Sequence, residues 1–167
     1  MRVRRLEPAD DRSEFSCGNV ELDRFFRQYA GRNQFRHHLG TTYVAIEEDG
    51  RIAGFATVSP TEILAERVPS SMKKRLPRSP LPALRLARLA VDTRMSGRGV
   101  GRMLVASVLR LARDLSESSV GCVVDAKTEA IGFYESLGFV QLEALGGELG
   151  DRPIPTPLFL PLSAIPA

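Results

Sequence analysis

The stretch from residue 87 to residue 113, ARLAVDTRMSGRGVGRMLVASVLRLAR, leaves few folds open to this chain. An apolar strand-type run enters a short polar turn, three glycines follow at alternate positions, and a helix pattern begins. Leu104, Val108, Leu111 and Leu115 recur at spacings of three and four, the stripe of a helix over about Gly101 to Leu115. Gly97, Gly99 and Gly101 let the backbone turn tightly and approach a ligand. The first N–H groups of the helix have no intrahelical acceptor and point out of its positive end. Such a terminus binds phosphate, and Arg98 and Arg102 add charge-assisted donors beside it. It is not the dinucleotide fingerprint, because Arg102 stands three after Gly99 and Leu104 three after Gly101. No Gly-Lys-Ser/Thr occurs, so the Walker loop fails too. Taken alone, the same glycines also suit a purely structural turn.

Strand and helix patterns alternate around this segment. Glu21 to Ala30 places Leu22, Phe25, Phe26 and Tyr29 on one helical stripe, which can continue to His38 and reads as core packing. Thr41 to Ile46 and Ile52 to Ser59 are β-rich runs joined by EEDG, an antiparallel hairpin. Pro60 to Pro82 holds five prolines, a turn-rich connection with at most one or two short helices. Leu86 to Val91 and Val120 to Val124 read as further strands. Glu129 to Ser136 reads as a short helix ended by Gly138, and Phe139 to Leu142 and Pro157 to Leu162 as closing strands. The order predicts a mixed α/β (α+β) sheet within one domain over residues 1–167.

Charge is unevenly spread. Between Arg67 and Arg113 there are twelve basic residues and one acid, Asp92, while the rest of the chain carries eleven basic and nineteen acidic residues. Solvated surfaces intersperse both signs, so this stretch points to an anionic partner: a cofactor, a nucleic acid or both.

Other classes are excluded. With 43% hydrophobic and 26% charged residues the composition is that of a globular protein. No run approaches eighteen apolar residues, so no membrane span is expected. The opening MRVRRLEPADDRSEF turns acidic with no apolar stretch behind it, so a secretory signal is not expected and a cytoplasmic location is. Cys17 and Cys122 stand apart, without a companion at metal-ligand spacing, and read as small buried residues. His37 and His38 diverge by about 100° on a helix and lack a third ligand, so no metal site is expected.

With its neighbours, the glycine segment resembles the GNAT superfamily of acetyl-CoA-dependent N-acetyltransferases. The diphosphate-loop pattern Gln/Arg-x-x-Gly-x-Gly/Ala is matched by Ser96 to Gly101, with Ser96 in place of Gln or Arg. The second motif is matched by Ala130, Phe133, Tyr134, Glu135, Gly138 and Phe139 within DAKTEAIGFYESLGF, where Lys127 replaces a common Asn. FSCGNVELDRFF, TTYVA, IAGFATVSPTEI and the proline run before LARLAVD extend the likeness over nearly the whole chain, to the GNAT toxins of toxin-antitoxin modules.

This resemblance implies a GNAT fold with N-terminal helices, a mixed central sheet and a glycine-loop helix after the cofactor strand. It implies acetyl-CoA bound by Leu89, Ala90 and Val91, by the turn Gly97, Arg98, Gly99, Val100, Gly101, Arg102 and Met103, and by Lys127, Ala130 and Phe133. Tyr134 falls where the family has the acid that protonates the departing thiolate, and the Val91 N–H where the acetyl carbonyl is polarised. The toxin branch acetylates the α-amino group of aminoacyl-tRNA, which blocks translation, and it is neutralised by a ribbon-helix-helix antitoxin and is usually a homodimer.

The residues themselves narrow the substrate. The strand Leu86 to Val91 carries no carboxylate to serve as base, and Asp92 and Asp125 suit salt bridges or strand ends better. An α-amine titrates near 8, far below lysine, and needs little base. A cationic amine is repelled by the basic stretch, whereas an RNA backbone is attracted to it. Lys73, Lys74, Arg75, Arg78, Arg85 and Arg88 are the candidate contacts, with Arg88 nearest the reacting end. No Phe or Tyr interrupts that stretch, so backbone contact rather than base stacking is expected. The competing readings are an acetyltransferase of a small-molecule or protein amine, and a non-catalytic binding module on the same fold.

Overall fold

A computed structural model describes residues 1–73, 80–115, 119–142 and 155–165. Seven strands lie in one sheet in the order β1-β2-β3-β4-β5-β7-β6, with β1 at Arg2–Arg5, β2 at Thr41–Ile46, β3 at Ile52–Ile63, β4 at Leu81–Val91, β5 at Gly121–Ala126, β6 at Val140–Gln141 and β7 at Thr156–Pro161. β4 and β5 are linked in sequence through a fifteen-residue helix. The chain forms two compact units, one of Met1–Ser59 with Leu86–Val108 and one of Pro60–Arg85 with Leu109–Ala167.

In the first unit β1, β2 and β3 form an antiparallel meander, and the expected hairpin closes through Glu47 and Arg51. Thr42 and Thr57 face each other across it, their buried hydroxyls 2.8 Å apart. The helical stretch begins at α1 (Val20–Arg24), where the Asn19 side chain accepts the N–H groups of Glu21 and Leu22. It continues through a wide π-type turn at Phe25–Tyr29, an α turn at Ala30–Arg32 and a second wide turn at Asn33–His37, then stops at His38 with φ of 53°. Phe26 stacks on Phe55 at 4.3 Å between ring centres, and Phe15 meets both rings edge-on. Together with Phe25, Val44, Ile52 and Ala90 these rings form the core of this unit.

Tyr29 departs from the expected stripe and is 41% exposed. A wide turn uses more residues per revolution than the 3.6 of an α-helix, so a residue at its end lags behind the buried face.

In the second unit β7 pairs antiparallel with both β5 and β6, so the last strand enters between them. The proline-rich connection is shorter than the sequence suggests, because β3 runs on through Pro60 to Ile63 and β4 starts at Leu81 instead of Leu86. Between them lie a 3₁₀ turn at Ala65–Arg67 and a short helix, α2 (Ser70–Lys73). Ile63, Val68, Leu81, Val123 and Phe159 pack as this unit's core. Among the described residues no helix is long and apolar enough to cross a membrane.

Candidate active site

β4 ends at Val91, Asp92 starts a 3₁₀ turn over Thr93–Met95, and α3 (Val100–Asp114) begins after Gly99. Gly97 and Gly99 hold φ of 74° and 77°, and a methyl group added to either would meet nothing within 4 Å. Glycine is therefore needed there for backbone conformation, not for room. The Met103 N–H reaches the Gly99 carbonyl at 3.0 Å, so the amides of Val100, Gly101 and Arg102 precede the first turn's acceptors. A glycine N-cap brings no side chain to cover them, and the first turn contains no acid. Val100 and Leu104 are buried and anchor the helix, while Gly97, Arg98, Gly99 and Arg102 are exposed and Gly101 and Met103 are partly buried. Arg98 donates to the Met95 sulfur at 3.3 Å and lies 3.9 Å from the Glu47 carboxylate, with 60% of its side chain exposed. These features form an electropositive backbone cradle fit for a diphosphate.

On the strand feeding the cradle, Ala90 is buried and Leu89 and Val91 are partly buried. Arg88, two residues before Ala90 and so on the same face of β4, rests its guanidinium on Phe25, 3.8 Å from the ring centre. Partial burial pushes its pKa down. Asp92, 1% exposed, accepts from the Ser16 N–H, the Arg94 N–H and the Arg94 guanidinium. Those bonds hold its carboxyl at about 2, too acidic for a base at neutral pH.

In the second unit Tyr134 sits on α4 (Ile131–Ser136), 6% exposed, with Phe133 and Phe139 edge-on at 5.1 and 5.5 Å. Burial, with a smaller effect of nearby Cys122, pushes its phenol up to about 12. It therefore keeps its proton at neutral pH and has it available to donate. Lys127 is exposed, and its carbonyl accepts the Ala130 N–H at 2.9 Å in the turn leading to α4, while Ala130 and Phe133 are partly buried. Arg85 pairs with Asp125 and reaches Thr61 at 3.4 Å, so its charge is already answered by an acid. Lys73 ends α2, and Lys74, Arg75 and Arg78 lie outside the described residues. Among the described residues no three His, Cys, Asp or Glu side chains group as metal ligands.

The structure also exposes a surface that the count of basic residues passed over. Between Asp23 and Glu47 the chain has no acid, yet it holds Arg24, Arg27, Arg32, Arg36, His37 and His38, all exposed. Tyr29 and Phe35 are exposed among them, and Arg32 lies 6.0 Å from the Tyr29 ring centre. The acid-free interval is legible in the sequence, but the exposure of the rings is not, because it follows from the wide turns.

Comparison with known proteins gives the family. The model of the Acetyltransferase (GNAT) family matches residues 3–139. A tRNA-acetylating toxin of Mycobacterium tuberculosis is 33% identical over 102 residues, which span 61% of this chain and 60% of that protein. The solved structure of AtaT complexed with acetyl-methionyl-tRNAfMet superposes with a TM-score of 0.83 at 27% identity, covering 98% of this chain and 96% of the other. That of AtaTR bound with AcCoA gives 0.76 at 27% identity, covering 98% and 95%.

Proposed function

The chain belongs to the acetyltransferase (GNAT) family, and from that premise we propose that it transfers acetyl from acetyl-CoA to the α-amino group of aminoacyl-tRNA and so acts as a translation-blocking toxin. The observation that carries this reading is the similarity, along 98% of the chain, to a structure holding an acetylated aminoacyl-tRNA. The first unit supports it with a cradle suited to a diphosphate, and the basic surfaces support an RNA partner.

In this reading the amides at the start of α3, with Arg98 and Arg102, hold the diphosphate of coenzyme A, while Leu89, Ala90 and Val91 of β4 hold its pantetheine arm through the backbone. Bound acetyl-CoA supplies an acetyl group on a thiol leaving group. The Val91 N–H would polarise the acetyl carbonyl, and Lys127, Ala130 and Phe133 are the further residues that the family resemblance assigns to coenzyme A. As nitrogen bonds to the carbonyl carbon and the C–S bond breaks, Tyr134 gives its hydroxyl proton to the sulfur, and the amine's surplus proton restores the phenol through solvent. No carboxylate base is required of the chain, because an α-amine beside an ester is substantially neutral at physiological pH. That matches the commitment of Asp92 to Arg94 and of Asp125 to Arg85.

The RNA backbone is held by Arg88 with Lys73, Lys74, Arg75 and Arg78, Arg85 being committed to Asp125, and the Arg24 to His38 surface is a second contact where Tyr29 and Phe35 offer rings to bases. The protein works in the cytoplasm as a homodimer under a ribbon-helix-helix antitoxin. Expression without that antitoxin arrests bacterial growth, and Tyr134→Phe relieves the arrest. Catalysis on charged tRNA weakens steeply with added salt. Turnover of a free amine that is indifferent to salt, with charged tRNA untouched, would assign the enzyme to small amines.

A further inference from the structure

The glycine turn does not fix its own shape. Its two left-handed glycines stand in open space, and glycine loses more freedom on ordering than any other residue. Something outside the turn must hold it, and two buried carboxylates do so through one short loop. Asp92 accepts the Arg94 N–H at 2.9 Å, which shapes the turn Thr93–Met95, and the Ser16 N–H at 3.2 Å, which ties in the loop. Thr93 N–H returns a bond to the Ser16 carbonyl at 2.9 Å, and the Arg94 guanidinium reaches the Glu14 carbonyl at 3.2 Å. On the other side of the loop Asp23, 8% exposed, accepts the Cys17 N–H at 2.8 Å and the Ser16 hydroxyl at 3.4 Å. Asp23 belongs to α1, two residues before the core ring Phe25. Below the glycines the buried Met95 meets Arg98 through its sulfur. A continuous set of bonds thus runs from the core helix through residues 14–17 to the turn and its arginine. A well-packed apolar residue would serve stability alone at least as well as a buried charge, whereas directional bonds fix backbone orientation.

We propose that Asp92 and Asp23, acting through the loop between Glu14 and Cys17, are positioning residues that preset the glycine turn for coenzyme A. This rests on the reading of that turn as the diphosphate site. The bonds of both carboxylates go to the loop and turn, so each acts through what it holds.

The test is calorimetric titration of the full chain with unacetylated coenzyme A. Asp92→Asn and Asp23→Asn each weaken binding about tenfold or more, the scale on which small misplacements act. The double variant is hardly weaker than the worse single one, because both hold the same loop. Asp10→Asn is the control: Asp10 is likewise clamped, by Arg4 and the Glu7 N–H, but on a bond set apart from the turn. It loses stability and keeps coenzyme A affinity within about twofold. In steady state Asp92→Asn raises the KM for acetyl-CoA while kcat at saturation changes less. Should Asp92→Asn fail to fold, Arg94→Gln, which removes donors and leaves the carboxylate, must show the same loss. Wild-type affinity in Asp92→Asn or Arg94→Gln, or an equal loss in Asp10→Asn, overturns the proposal. Absence of binding by the wild-type chain overturns instead the reading on which it stands, and the proposal with it.

Discussion

The guanidinium of Arg88 stands 3.8 Å from the centre of the Phe25 ring, and no described carboxylate pairs with it. A cation held by a ring, partly desolvated and without an acid partner, retains its charge for an incoming anion. Arg88→Ala is expected to raise the KM for aminoacyl-tRNA about tenfold, the effect of losing one charge-assisted contact, and to leave the KM for acetyl-CoA unchanged. Arg88→Lys recovers only part, since an ammonium lacks the planar face that stacks on Phe25. Steady-state kinetics with each substrate varied separately checks this; an equal rise in both KM values contradicts it.

Tyr134→Phe removes the hydroxyl proposed to give up its proton and keeps the ring among Phe133 and Phe139. The expected loss in kcat is about 10²- to 10⁴-fold, with coenzyme A affinity and thermal stability retained. Because burial raises the phenol to about 12, the unfolded tyrosine ionises near pH 10 while the folded one keeps its proton. Stability of the wild type therefore falls as pH rises from 10 toward 12, and the Phe variant lacks that component of the fall. Alkaline unfolding curves of the two proteins make the comparison.

Asp92 sets an acid dependence of opposite sense. Its carboxyl is held at about 2 in the folded chain against 3.8 for the free group. The stabilisation it gives is complete above pH 3.8 and is lost as pH falls toward 2. A shift of this size is worth on the order of 2 kcal/mol. Asp92→Asn is expected to lose that much at neutral pH and to flatten the acid limb of the stability profile, as read by urea unfolding across pH.

Gly99 carries φ of 77° with open space around it, so replacing it tests backbone conformation without steric crowding. Gly99→Ala should cost about 1 to 2 kcal/mol or relax the turn, and in either case weaken coenzyme A binding. Gly99→Asn, which tolerates the left-handed region better, should lie between wild type and Gly99→Val. Indistinguishable Asn and Val variants would show that conformation is not what selects glycine there.

The strand, glycine turn and helix of the candidate site were readable from sequence because their signals are local: an apolar strand, glycines at fixed spacing and a helix stripe all fall within residues 87–113. Other features depend on distant partners. β1 escaped notice because RVRR has no apolar alternation to betray a strand, and it forms only because β2 offers Thr42 to Ile46 as an edge. β3 and β4 looked shorter because Pro60 and Pro82 read as breakers. Within β4, Pro82 brings no N–H but still bonds through its carbonyl, which accepts the Val120 N–H. Asp92 and Asp125 read from sequence as salt-bridge or strand-end acids, and they are, but only the fold names Arg94 and Arg85 as the partners. The exposure of Tyr29 follows from wide turns that no simple periodicity encodes.

The most direct test is incubation of the purified protein with total charged tRNA and acetyl-CoA, followed by mass spectrometry of the released aminoacyl groups. The expected result is an acetyl group on the α-nitrogen of one or more amino acids, absent with Tyr134→Phe. Charged tRNA that emerges unmodified while the same enzyme consumes acetyl-CoA on a free amine would contradict the account.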